Sequence, residues 1–337
     1  DTLVDKSGTN YCLTGTIDIS RNKLILSIEL SNLIDQSIIW MDRIEGNIDD
    51  IHQLRSEVVN KVISALEIQI SAQEAKHARL KSPQNLDAWS SYHLGLDHMY
   101  RFTVHDNLIA TKLFETAIKL EPSFARAHAG LSFAQFQRAF NRYPGTDIAA
   151  SSQIARASAE RSIELDHLDP FANFVMGRSC WLDGSAEDCL PWIERAVSIN
   201  PNYAHGYYVQ GLAALMSNKS DSSHSDATRA ISQSPLDPLL YAFYGLRAFS
   251  YIAEGNFKEA QIWAERAARQ QNAVPAMDLI ALVASSLAGS DQQARYWDAR
   301  FRKRMPVVEK DYFFRALPFS EGKTRELIHQ ALAKYGL

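Results

Sequence analysis

From Tyr11 to Ser20 apolar and polar positions alternate, with Tyr11, Leu13, Ile17 and Ile19 on one face and Thr14, Thr16 and Asp18 on the other. A period of two predicts a strand. Arg21-Asn22 supplies a tight polar turn, and Leu24, Leu26, Ile28 and Leu30 resume the alternation in a second strand. A third is predicted over residues 37–44, beyond a turn at Asp35-Gln36. Asp49 or Asp50 then caps a long helix. Its apolar positions, among them Ile51, Leu54, Val58, Val62, Leu66 and Ile70, keep the helical period and can cover one sheet face. Residues 1–80 therefore read as a small α/β domain. Three strands and one helix leave the other sheet face bare, so the domain is expected to be truncated, with further elements upstream of Asp1.

Past Ser82-Pro83 the pattern changes period. Gly177, Gly211 and Gly245 follow at intervals of 34 residues, and Ala196 and Ala230, and Pro201 and Pro235, keep the same interval. A small residue in each of two helices lets the pair cross closely, and the proline cannot continue the second helix. A 34-residue unit built this way is the signature of a tetratricopeptide array. The fold class is thus mainly α: a tetratricopeptide-repeat α-solenoid over residues 81–337, about six helical hairpins with a C-terminal cap, preceded by the small, partial α/β domain. The connection through Tyr143-Pro144-Gly145 is the main irregularity. The polar stretch 217–225 reads as a mobile loop. Residues 312–317 and 324–335 read as the cap that the last repeat needs.

Composition narrows the function. A net charge of −4 argues against direct nucleic-acid contact, which would need clustered Lys and Arg. The longest apolar run, residues 279–288, is about half of what a bilayer demands, so no membrane role is expected. Cys12, Cys180 and Cys189 do not make a disulfide framework in a chain of 337 residues. Cys180 and Cys189 read as reduced neighbours in a cytoplasmic core, with a redox switch as the alternative.

The motifs that carry chemistry fail one by one. Gly322-Lys323-Thr324 resembles the end of a phosphate-binding loop, but Leu317 stands where the first glycine belongs. His93 and His98 share a helix without a carboxylate or cysteine at ligand spacing, so no metal is expected. No catalytic residues and no cofactor follow from this reading. What remains is the inner wall formed by the first helix of each hairpin, where such superhelices bind. Projecting the repeat places Trp89, Tyr92 and Tyr100 there, then Phe124, Gln135 and Arg138, then Phe171, Phe174, Arg178 and Trp181, then His205 and Tyr208, and Arg247. Aromatic and arginine side chains dominate interface hot spots. An arginine in an apolar groove needs an anion or carboxylate, so a peptide or small acidic ligand is expected at Arg178, with little stability lost in Arg178→Ala.

Tyr11-Cys12-Leu13-Thr14-Gly15-Thr16-Ile17-Asp18, Ile39-Trp40-Met41-Asp42-Arg43 and Ile51-His52-Gln53-Leu54-Arg55-Ser56-Glu57 together resemble the TolB-like α/β domain that precedes tetratricopeptide repeats in bacterial regulators. Ala316-Leu317-Pro318-Phe319 and Ala333-Lys334-Tyr335-Gly336-Leu337 are similar to the closing segment of the same proteins. The output domain of that family is an OmpR-type winged helix or a class III adenylate cyclase domain; nothing before Tyr11 could form the first, and no cyclase metal-binding aspartates can be placed. The resemblance implies a regulatory half that senses a ligand or partner. The expectation is a non-catalytic, cytoplasmic regulatory or protein-interaction module of a bacterial signalling protein, binding a protein, peptide or small ligand, with a homodimer plausible. The alternative is an assembly factor or co-chaperone-like scaffold for extended peptides.

Overall fold

The computed structural model describes residues 9–182, 187–308 and 312–337. Strands β1 (Tyr11–Ser20), β2 (Lys23–Asn32) and β3 (Ser37–Asn47) form an antiparallel sheet in sequence order. Arg21 and Gln36, both at φ 58°, make the two turns. The register pairs Leu13 with Leu30, Ile17 with Leu26 and Ile19 with Leu24, so all of these side chains share one face. Trp40 and Ile44 of β3 join them opposite Leu30 and Leu26. A 3₁₀ turn ending at Asp50 leads into α1 (Ile51–Ala65), although the Asp50 side chain makes no capping bond. Leu54 of α1 closes a small core with Leu24, Ile28 and Ile44.

The bare part of the sheet differs from expectation. Leu13, Ile17 and Ile19 are 43%, 66% and 60% exposed, yet they lie on the same face that α1 covers. One helix about 10 Å across cannot blanket three strands spaced about 4.8 Å apart, so β1 stays uncovered beside it.

α1 does not stop at the sheet. It passes through a π turn, Leu66–Ile70, into α2 (Ser71–Leu80), and this continuous helix lies along the repeats. Ser64 Oγ meets Ser234 Oγ at 3.2 Å, and Ser71 Oγ meets His93 Nδ1 at 2.9 Å. Ala75 and Ala78 bury the contact with the first hairpin.

That hairpin is α3 (Ala88–Met99) and α4 (Val104–Leu120). Five more follow: α5 (Ala125–Phe140) with α6 (Ile148–Leu165), α7 (Pro170–Trp181) with α8 (Leu190–Ile199), α9 (Ala204–Met216) with α10 (Ser223–Gln233), α11 (Leu240–Glu254) with α12 (Phe257–Ala268), and α13 (Ala276–Leu287) with α14 (Asp291–Arg304). The small residues do what the period predicted. A Cβ on Gly95 or Gly130 would fall 2.7 or 2.5 Å from the ring of Phe114, which both glycines grip. Ala196, Ala227 and Ala230 are fully buried. Side-chain caps start several helices: Asp87 accepts from Ser90 N, Thr103 from Asp106 N and Asp147 from Ala150 N. The 217–225 stretch contains a 3₁₀ turn and the start of α10, more structure than its composition suggested.

The C-terminal end is only partly a cap. α16 (Lys323–Ala333) buries Ile328, Ala331 and Leu332 at the end of the array. The segment before it, with α15 (Tyr312–Ala316), instead runs back across the ends of earlier helices. Ala316 O accepts from Trp181 Nε1 at 3.2 Å, Ser320 N donates to Met216 O at 2.8 Å, and Phe313 and Phe319 pack edge-on to Phe249. The apolar residues there satisfy the array's flank, not its terminus.

Candidate functional site

Between the π turn and the first helices of the repeats lies a cavity of about 560 Å³. Leu66, Glu67 and Ser71 form its roof, and Trp89, Tyr92, Tyr100 and His205 stand on its floor. Two ion pairs are built into the floor by one recurring device. An aspartate just before a first helix accepts from a backbone amide at that helix's start and from a basic side chain of the preceding repeat. Asp169 accepts from Phe171 N and from Arg126 Nε at 2.9 Å and Nη2 at 3.2 Å. Asp237 accepts from Leu239 N at 2.8 Å and pairs with His205 Nε2 at 3.0 Å.

Burial works against the His205 proton, but the Asp237 carboxylate outweighs it and raises the pKa. Burial likewise pushes Asp237 up, and His205 with the Leu239 amide pulls it below the ordinary carboxylate range. At His93 burial outweighs the opposing charge of Glu74 and pushes the pKa down to about 4. Glu67 retains contact with the cavity's solvent while protein surrounds it on other sides; desolvation raises its pKa, and the charges of His205 and Arg126 oppose the rise.

The residues singled out from sequence separate into three groups. Trp89, Tyr92, Tyr100, His205 and Phe171 line this cavity. Trp89 Nε1 donates to Glu74 Oε2 at 3.0 Å, and its ring stacks on Phe124 at 6.3 Å. Phe174 sits beneath, 1% exposed, against Tyr203 and His205.

Arg178 and Tyr208 belong to a second, smaller cavity of about 50 Å³. Here the expectation of an accessible arginine is corrected. Arg178 is 4% exposed, its guanidinium 4.1 Å from the Phe136 ring centre and 4.6 Å from that of Trp181. Tyr208 bonds it, but Nε and Nη1 find no partner among the described residues. Desolvation lowers its pKa. A cation clamped this way is part of the core, so Arg178→Ala cannot leave stability unaltered.

Arg247 is also misplaced by the projection. It bonds Thr228 Oγ1 of α10 and lies 5.0 Å over Trp263 of α12, which puts it among second helices, behind the inner wall. Gln135 is buried and Arg138 half-buried, and neither lines either of these two cavities.

Sequence reasoning missed Glu67, Arg126, Asp169 and Asp237. The aspartates carried a readable signal: Asp169-Pro170 and Asp237-Pro238 are the same dipeptide two repeats of 34 apart. Glu67 carried none, since its role depends on where the helix lies. Cys180 and Cys189 are both buried and free of disulfides, and burial pushes the Cys189 thiol up to about 12, which keeps it protonated.

No known protein family matches the chain. A curated protein of Rhizobium meliloti (strain 1021), provisionally named adenylate cyclase 3, is 21% identical over 169 residues, half of this chain and 29% of that protein. The matched stretch thus spans less than a third of that relative's length. Among solved structures, a thermophilic TPR protein of Thermus thermophilus aligns over 65% of this chain and all of its own, with TM-score 0.44 and 16% identity. Pseudomonas aeruginosa pilF aligns over 67% of this chain and 94% of its own, at 0.45 and 14%. Yeast Tom70 aligns over 86% of this chain and 63% of its own, at 0.44 and 12%. With scores this low, the tetratricopeptide-like solenoid is read from the chain's own period and helix pairs. No helix among the described residues is long and apolar enough to cross a membrane.

Proposed function

We propose that this chain is a non-catalytic sensing module of a bacterial signalling protein, and that it binds a small ligand in the cavity under its own helix. The TolB-like and repeat resemblance and the weak match to the Rhizobium protein support the regulatory setting, with a transcription factor or adenylate cyclase as the whole protein. The cavity carries the ligand-binding part. At about 560 Å³ it has the size of a small-molecule site, with apolar walls and a few convergent polar groups. The alternative of a scaffold for extended peptides is less well supported, because α1 and α2 already occupy the wall on which such a peptide would lie.

The test is a fragment screen by ligand-observed NMR on the wild-type chain and on Ala72→Phe, which fills the cavity from its roof. Fragments that bind the wild type and not Ala72→Phe support the reading. Fragments that bind both equally contradict it.

A further inference from the structure

One charge lining the cavity is left without a partner among the described residues, and it points to a class of ligand. Four carboxylates line the cavity, Glu67, Asp97, Asp169 and Asp237, against the two guanidiniums of Arg101 and Arg126. With a protonated His205 and the Arg79 that also pairs with Asp97 the charges sum to zero, but they are not all matched in pairs. Three of the carboxylates are already matched. Asp169 holds Arg126 and Asp237 holds His205. Asp97 holds Arg101 at 2.6 Å and also Arg79. Glu67 forms no hydrogen bond or ion pair among the described residues.

Its position is set by an irregularity in the helix. The π turn Leu66–Ile70 widens the backbone where the helix crosses the cavity, and Glu67 sits in that turn. Single π turns inside α-helices often mark functional positions. Across from it stand the rings of Trp89, Tyr92, Tyr100, Phe171 and Tyr203, whose faces carry negative potential. An anion entering here would meet an unpaired carboxylate and aromatic faces, while both floor cations are already engaged. A positive group would meet the Glu67 carboxylate and the ring faces.

We propose that the cavity under the π turn takes a small organic cation, an ammonium or amidinium on an apolar body, with Glu67 as its counter-ion and the tyrosine and tryptophan rings as its walls. This rests on the proposed function, whose cavity it specifies, and reverses the acidic ligand expected from sequence.

Benzamidine, benzamide and benzoate have nearly one shape and differ in charge, so they isolate this claim. Their affinities for the wild-type chain, Glu67→Gln and Ala72→Phe are to be measured by ligand-observed NMR titration. The expected order in the wild type is benzamidine, then benzamide, then benzoate, with the cation preferred about ten-fold over the neutral probe. In Glu67→Gln that preference falls to about two-fold or less, with the fold intact by circular dichroism. Equal or reversed order in the wild type, with binding lost in Ala72→Phe, overturns the cation assignment and leaves the cavity reading standing. A cation preference that survives Glu67→Gln overturns the role of Glu67 and with it the proposal. Binding of none of the three, or binding indifferent to Ala72→Phe, overturns both readings.

Discussion

At the scale of single residues the clearest consequences lie in the packed wall. Arg178 is a buried cation with no carboxylate partner among the described residues, and its stability contribution comes from contact with Phe136 and Trp181. Arg178→Ala should therefore cost about 2–4 kcal/mol in urea unfolding, through the lost packing and the cavity left behind. Arg178→Met keeps much of the volume and removes the desolvated charge, so it should stay within about 1 kcal/mol of wild type. Phe114 offers a second case. Gly130→Ala drives a methyl into its ring and should destabilise by about 1–3 kcal/mol. Combining it with Phe114→Leu should cost less than the sum of the two single changes, a coupling that a double-mutant cycle reads directly.

Two buried histidines give the site a pH signature of opposite signs. His205, whose pKa is raised, contributes stability that is complete below its ordinary value of 6.5 and is lost as pH climbs through the folded-state value. His93, pushed down to about 4, contributes stability that is complete above 6.5 and is lost as pH falls toward 4. Asp237→Asn should accordingly flatten the decline above pH 6.5, and His93→Gln should flatten the decline below it. Urea unfolding at stepped pH separates the two, and identical slopes in wild type and variants would contradict the assignment.

At the scale of elements, the sequence was legible wherever a residue's job is done within its own unit. The alternation of Leu24, Leu26, Ile28 and Leu30 and the 34-residue spacing of Gly177, Gly211 and Gly245 report on local burial and close crossing, and they found β2 and the hairpins. Groove-facing aromatics such as Tyr92 and Tyr100 followed from the same period. What failed needed a tertiary fact. Arg247 was assigned to the inner wall because the projection assumes a uniform twist, yet its helix turns it toward Thr228 and Trp263. Glu67 and the π turn were invisible because a helical period over Ile51–Ile70 does not say that the helix's second half leaves the sheet. That turn is itself testable. Deleting Ile68 should close the turn into a regular α-helix, and because a π turn winds one extra residue through about the same angle, both halves keep their faces. Hydrogen exchange in β2, β3 and residues 71–80 should then stay near wild type, and faster exchange there would contradict a π turn at this point.

At the scale of the whole molecule, two segments far apart in sequence change what the solenoid is. The helix through residues 51–80 roofs the inner wall near α3 to α11, and the stretch through residues 312–321 lies across the ends of α7 and α9. A repeat array that would otherwise present an open groove becomes the floor of a partly open cavity, with Glu67 in its roof as a carboxylate unpaired among the described residues. A small ligand held there touches both the roof and the floor, and would couple the sheet to the repeats through one helix. The roof is therefore the claim on which the function rests. It is tested most directly by Ser64→Cys with Ser234→Cys in a Cys12→Ser background, since the two hydroxyls lie 3.2 Å apart. The account predicts rapid, nearly complete formation of an intramolecular disulfide under mild oxidation, with benzamidine binding retained. Failure of the pair to cross-link in a folded chain would show that the helix does not lie on the inner wall, and would contradict the account.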